Sequence, residues 1–223
     1  MKKLVNGILA FREKLHPQYR ETFARLALGQ SPDALFIGCS DSRVAVNVFA
    51  STDPGDLFVI RNVGNMVPEC GCDGHSSADE SEAAAIEFAL IQLKVSNIIV
   101  CGHSECGAMQ ALLQEKSDKL PQHLRSWLRH GETSIPKLGS FNKSLARHNE
   151  LSQLNVLQQI ENLKSYPVVR ERIEAKTLNI HAWWFDLQQA DVYAYDTDHG
   201  QFCLFSDELA AKILKSNVLD SAR

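Results

Sequence analysis

The chain lacks any apolar run near the ~18 residues that a membrane-crossing helix needs. It also has no Pro/Gly-rich linker, no internal repeat and no low-complexity block along its 223 residues. Those absences exclude a membrane span, a beaded multi-domain chain and a fibrous or disordered protein. Charge of either sign is not in excess. The net value of −4 gives no bulk electrostatic case for nucleic acid or an anionic membrane. No secretion signal is expected either. Met1-Lys2-Lys3-Leu4-Val5 begins like one, but Asn6 and Arg12-Glu13 cut the apolar stretch short and no small-residue cleavage site follows. The expectation is a cytoplasmic protein. Its six cysteines are then reduced thiols, open to being metal ligands or ordinary core residues.

What is present is strands alternating with helices. Leu4, Ile8, Phe11 and Leu15 recur at helical spacing, with a break expected at Pro17. Ala34–Cys39, Leu57–Ile60 and Ile98–Cys101 are continuous apolar runs, as expected of parallel strands covered on both faces. Ser77-Ala78-Asp79-Glu80 reads as a capping box for a helix that buries Ile86, Leu90 and Leu93. Another helix is expected to start near Ser104 and run through Met109 and Leu113. A further one carries Val156, Leu157, Ile160 and Leu163 and stops before Pro167. Leu178, Ile180 and Trp184 alternate, and Val192–Tyr195 is β-rich, so two late strands follow. The segment from about 117 to 150 is polar and helical in pieces. The pattern defines an α/β fold with a mainly parallel central sheet flanked by helices, in one domain over 1–223 with an N-terminal helical arm over 1–30.

Two short segments carry chemistry. Cys39-Ser40-Asp41-Ser42-Arg43 follows the first strand, and His103-Ser104-Glu105-Cys106 follows the third. Ligands in open parallel sheets collect beyond the carboxyl ends of the strands, so Cys39, His103 and Cys106 can meet at one crevice. His103 and Cys106, three apart where a helix is expected to begin, would share one side of its first turn. Two thiolates and an imidazole suit a borderline-soft ion such as zinc, with a fourth position left open, as in catalytic sites. The alternative is that each cysteine is a small core residue. Asp41 and Arg43 read either as an ion pair that orients a carboxylate toward the site or as a solvated salt bridge.

In combination, Cys39-Ser40-Asp41-Ser42-Arg43-Val44, Gly55–Asn65 and Cys101–Gly107 resemble the β-class carbonic anhydrases over roughly residues 1 to 205. The resemblance implies reversible hydration of carbon dioxide to bicarbonate by attack of a zinc-bound hydroxide. It implies one zinc per chain on Cys39, His103 and Cys106, with Asp41 and Arg43 as a catalytic dyad. Asp41 joins the metal only in a closed state. It also implies a late antiparallel strand and a homodimer or dimer-based higher oligomer. Substrate-pocket positions carried over are Gln30, reaching across the dimer, together with Phe58, Val63, Phe88 and Gly107. A regulatory bicarbonate pocket of one bacterial subgroup maps to Phe36, Arg61 and Phe185. Only its arginine is kept, so that inhibition is expected to be absent. Because two thiolates cancel the ion's charge, activity is expected to rise into the alkaline range.

Two further readings share these residues. One is hydrolysis of carbon disulfide or carbonyl sulfide on the same fold. The other is a zinc-bearing scaffold without turnover, which has no use for Asp41 and Arg43. Cys70, Cys72 and His75 form a second candidate metal cluster, although Cys-x-Cys is tight for one tetrahedral ion and a surface loop is the simpler reading. Cys101 is expected in the core beneath the site and Cys203 on a late strand.

Overall fold

The computed structural model describes residues 1–78, 80–114 and 120–216. Helices α1 (Lys2–Ala10) and α2 (His16–Leu26) open the chain and are joined by a π-helical turn at Phe11–Leu15. Pro17 therefore does not stop the helix. It sits in the first turn of α2, where its missing N–H is tolerated, and the wide turn absorbs the lost bond. Neither α1 nor α2 buries a residue within the chain, so Leu4, Ile8 and Leu15 face outward.

The sheet comprises β1 (Ala34–Cys39), β2 (Leu57–Asn62), β3 (Asn97–His103), β4 (Asn179–Asp186), β5 (Asp191–Asp196) and β6 (Gln201–Leu204), in the order β2-β1-β3-β4-β5-β6. β1 to β4 are mutually parallel, and β5 is antiparallel to both β4 and β6. The late antiparallel strand is thus present. β1 is buried at every residue, as its apolar run requires. β2 departs from the expectation. It is the edge strand, and of its residues only Ile60 is buried. An apolar run alone cannot separate a central strand from an edge strand whose outer face is covered by something else.

Between the strands lie α3 (Val46–Phe49), α4 (Ser81–Glu87), α5 (Gly107–Leu112), α6 (Gln122–Leu128), α7 (Arg147–Leu163) and α8 (Pro167–Glu174), and α9 (Asp207–Ser216) follows β6. α8 was not foreseen; α7 ends at Leu163 and, after a short turn, Pro167 serves as the first residue of the next helix. The expected capping box does not form. α4 starts at Ser81 with Glu80 as its N-cap and no side-chain cap, and Asp79 lies outside the described residues. Ile86 and Leu90 are buried as expected.

One core cluster packs α4 and α7 against Leu35, Ile37, Ile98 and Val100. Residues of alternate register, Phe36, Ile99 and Cys101, form a second cluster with Phe49 and Phe185 on the other face. A third gathers Cys39, Met66, Cys106, Met109 and Leu151 at the carboxyl end of the strands. Among the described residues no helix is long and apolar enough to cross a membrane.

Candidate metal centre

Cys39 is the last residue of β1 and His103 the last of β3. The two strands are hydrogen-bonded neighbours, with Gly38 opposite Cys101. Residues 64 positions apart in sequence therefore end one strand spacing apart, about 4.8 Å. The chain leaves β1 toward β2 on one side, and β3 lies on the other. That reversal opens a crevice at the carboxyl ends of the strands.

Cys106 arrives by a different route from the one its spacing suggests. α5 begins at Gly107, not near Ser104, and Cys106 is its extended N-cap. His103 belongs to the strand, so the two do not share a helical turn. Glu105 instead takes a left-handed backbone, with φ +55°, and turns the chain back. Asn149 Oδ1 accepts the Glu105 N–H at 2.7 Å, and the Ser104 N–H donates to Phe185 O at 2.9 Å. Those bonds offset the cost of a non-glycine residue in that region.

The ligand atoms of Cys39, His103 and Cys106 lie within 4.8 Å of one another, and all three residues are buried. His103 Nδ1 donates to its neighbour's carbonyl, Ser104 O, at 2.8 Å, which fixes the tautomer. Nε2 is then a bare lone pair, buried and without a hydrogen-bond partner. An unpaired buried acceptor costs about 1–3 kcal/mol. The Gly64 N–H donates to Cys39 Sγ at 3.4 Å. A hydrogen bond from Cys106 pulls the Cys39 thiol down to about 4, against burial, and the Gly64 amide adds to this. Cys106 is pushed up by the same bond and by burial, so the hydrogen bond between the sulfurs favours one thiolate in the pair. A thiolate, a second sulfur and an imidazole lone pair aimed at one point are a donor set that fits a borderline-soft divalent ion.

Asp41 and Arg43 stand at the mouth. Arg43 Nε donates to Asp41 Oδ1 at 2.9 Å, Nη2 to Oδ2 at 2.7 Å, and the Arg43 amide to Oδ1 at 3.0 Å. The fork holds the Asp41 carboxyl well below the usual carboxylate range. Arg43 Nη2 also donates to Glu105 O at 2.9 Å, which ties the ion pair to the turn between His103 and Cys106. Asp41 Oδ2 lies 4.0 Å from His103 Nε2. Arg61 donates to the carbonyls of Cys39 and Asp41 at 2.7–3.0 Å and fixes the backbone of that segment.

The supporting residues that sequence reasoning missed lie on α7. Ser152 Oγ donates to His103 O at 2.8 Å and accepts the Trp184 indole N–H at 3.1 Å. Asn155 Nδ2 donates to Gly64 O at 3.0 Å. Gln159 Oε1 accepts the Val67 N–H at 2.7 Å, and Asn162 Nδ2 donates to Val67 O at 2.8 Å. With Asn149, these side chains clamp both the His103–Cys106 turn and the loop after β2. Their spacing of three or four residues was the available signal: a polar stripe beside an apolar one on the same helix.

The other carried-over positions are scattered in the single chain. Phe58 and Phe88 stack at a centroid separation of 5.7 Å. Val63, whose carbonyl accepts the Trp127 indole N–H at 2.8 Å, is 42% exposed and Phe88 is 44% exposed. Gly107 opens α5 beside Cys106. Gln30 does not join this group; it lies with Phe23, Leu26 and Gly55 at the end of α2. The Cys70 loop brings no three ligand groups together among the described residues. Cys70 is buried against Ser76, whereas Cys72 is exposed. Cys101 is fully buried, and burial pushes its thiol up.

The fold and cluster define an open α/β protein with two cysteines and a histidine that could hold a metal at its topological switch point. A family model described as carbonic anhydrase matches residues 34–192. A carbonic anhydrase from Synechocystis sp. is 41% identical over 202 residues, covering 88% of this chain and 71% of that protein. One from Pseudomonas aeruginosa is 37% identical and covers 88% of each. The solved β-carbonic anhydrase CcaA superposes with a TM-score of 0.83 at 37% identity, covering 93% of this chain and 92% of the other. Two tetrameric β-carbonic anhydrases from Sordaria macrospora were solved together, and a chain from that work gives 0.75 at 30%, covering 92% and 98%. The chain belongs to the carbonic anhydrase family, in its β class.

Proposed function

We propose that this chain catalyses the reversible hydration of carbon dioxide to bicarbonate and a proton, with one zinc ion held by Cys39, His103 and Cys106. The observation that carries this reading is the unpartnered His103 Nε2, buried beside two cysteine sulfurs at the switch-point crevice. The chemistry a bound zinc supplies is acidification of water toward neutral pH. Every other role falls to the chain. Asp41 is held ionised by Arg43, so it can only accept a hydrogen bond, and its Oδ2 edge faces the ligands. That aims a proton on the attacking oxygen away from the substrate and leaves a lone pair facing it. Phe58, Val63 and Phe88 would line an apolar wall suited to a small nonpolar gas only once a second copy covers them, and Gly107 leaves its backbone accessible. Were Asp41 to leave Arg43, its carboxylate, 4.0 Å from His103 Nε2, would itself be available as a further donor to an ion held there.

The whole chain reads as one domain that works as a homodimer or a dimer-based higher oligomer. α1 and α2 bury nothing in their own chain, yet carry exposed Leu4, Val5, Ile8 and Leu9. Val63 and Phe88 are also too exposed for a dry pocket. A second copy covers both, and it is the source from which Gln30 would reach the substrate. Six free thiols fit a reducing compartment, the cytoplasm.

The test is elemental analysis coupled to a carbon dioxide hydration assay across pH. Wild type carries one equivalent of zinc at this centre and its rate rises into the alkaline range. Cys39→Ser and His103→Ala lose that ion and the activity; Asp41→Asn keeps the ion and loses about a hundredfold in rate. Undiminished hydration by Asp41→Asn, or hydration by metal-free protein, refutes the reading.

A further inference from the structure

The hairpin between β5 and β6 gathers a second set of ligand-type side chains at the far end of the strand order from β2. Asp196 ends β5, Cys203 lies in β6 and His199 sits in the turn between them. Asp196 pairs with Gln201 and Ala194 with Cys203. Directly opposed residues share a face, as do alternate residues of one strand. Asp196 and Cys203 therefore project from the same side of the ladder. The Gly200 N–H donates to Asp196 O at 2.8 Å, and the Asp198 N–H donates to Asp196 Oδ1 at 3.0 Å. That turn folds His199 back until its Nδ1 is 2.7 Å from Asp196 Oδ2. Cys203 Sγ completes a group whose ligand atoms all lie within 4.8 Å of one another.

We propose that Asp196 Oδ2, His199 Nδ1 and Cys203 Sγ form a second metal site, for a borderline-soft divalent cation such as zinc, separate from the catalytic centre. Oxygen, nitrogen and sulfur donors around one zinc stand roughly 3.3–3.7 Å apart, given bonds of about 2.0–2.3 Å. Small side-chain rotations reach that geometry: His199 Nδ1 and Asp196 Oδ2 give up their 2.7 Å hydrogen bond and open, while Cys203 Sγ, within 4.8 Å of both, moves in. The sulfur is free to turn, since its hydrogen-bond contacts are the long ones to Gln201, at 3.9 Å. Lys212 of α9 pairs with Asp196 Oδ1 and with Asp198 Oδ2, which leaves Asp196 Oδ2 on the ligand side. The charges also balance. Asp196, Asp198 and a Cys203 thiolate offset one ammonium and one dication. Binding releases the thiol proton to solvent and requires the His199 tautomer protonated at Nε2. His199 is 66% exposed, so this ion exchanges more freely than one buried behind Cys39 and Cys106.

The experiment loads the full protein with zinc, removes loosely held ion by desalting at low micromolar free zinc, and counts metal per chain. A parallel sample loaded with ¹¹³Cd²⁺ is read by NMR. Two equivalents and two resonances are expected. His199→Ala and Cys203→Ser each drop to one of each, with carbon dioxide hydration unchanged. One equivalent in wild type, or a second equivalent retained by both variants, overturns the proposal. A wild type with two ions but no hydration activity counts against the proposed function and leaves this site standing.

Discussion

Gly102→Ala tests how the fold carries the site, because Gly102 sits one residue before His103 where β3 crosses α7. A Cβ there would lie 2.7 Å from Val156 Cγ2, 3.0 Å from Ser152 Oγ and 3.2 Å from Ser152 O. None of these can yield cheaply. Valine in a helix is held in one χ1 rotamer, and the Ser152 carbonyl is helix backbone. β3 must lift off α7, which also stretches the Ser152 Oγ bond to His103 O. Overpacking costs about 1–3 kcal/mol, and the weakened buried bond adds about 1 kcal/mol. The expected total is about 2–4 kcal/mol. With a guanidinium slope of about 4 kcal/mol per molar, the midpoint falls by about 0.7 M. Metal and protein concentrations must be held fixed, since both bear on apparent stability. His103 moves with the strand, so zinc affinity falls about 10- to 100-fold. A variant within about 0.5 kcal/mol of wild type, with unaltered zinc affinity, would show that β3 and α7 are not locked at this crossing.

Arg43→Lys keeps the charge but cannot span both Asp41 oxygens and Glu105 O, so kcat/KM for hydration is expected to fall about 10- to 100-fold with zinc retained. Arg43 is 52% exposed, so its thermal midpoint should barely move. Glu150 is buried and accepts the amides of Gly139, Phe141 and Asn142; burial would raise its pKa, but these donors lower it on balance. Its stabilisation is therefore present above the ordinary glutamate value of about 4.3 and is lost as pH falls through the depressed one. Glu150→Gln should cost about 1–3 kcal/mol at pH 7, a gap that narrows in denaturation experiments at successively lower pH below 4. Phe49 stacks on Phe185 at 4.6 Å and lies 6.3 Å from Phe36, while Arg61 is committed to backbone carbonyls. Rates measured against added bicarbonate should fall hyperbolically; a sigmoidal fall would refute this.

The strands were legible because burial writes itself into composition. Ala34–Cys39 is apolar throughout and is β1 to the residue. The same signal overreached at β2, since Leu57–Ile60 is as apolar as a central strand yet lies at the edge. Val59 of β2 and the apolar residues of α1 are exposed with no cover among the described residues, and periodicity cannot say whose surface a residue covers. Helix starts were the least legible. Ser77 and Glu80 match a capping box, but the loop around Cys70 holds the chain and delays α4 to Ser81. At Ser104 a left-handed Glu105 intervenes, a conformation that sequence rarely signals outside glycine and asparagine.

The meeting of Cys39, His103 and Cys106 was legible for a different reason. Cys39 and His103 end two strands that the apolar runs had already placed, so convergence followed from topology alone. What was hidden was the support. Ser152, Asn155, Gln159 and Asn162 are polar residues buried on α7, and a polar residue on a helix is ordinarily read as facing water. Their burial makes sense only once the two segments they hold are known. The His103–Cys106 turn and the loop after β2 expose backbone groups that no sheet partner satisfies, and α7 supplies the missing donors and acceptors. A helix that packed on β3 through apolar contacts alone would leave those groups orphaned. The turn that carries Cys106 away from His103 would then be free to drift by more than a metal–ligand bond tolerates. The polar stripe of α7 is therefore as much a part of the centre as the three side chains that face it.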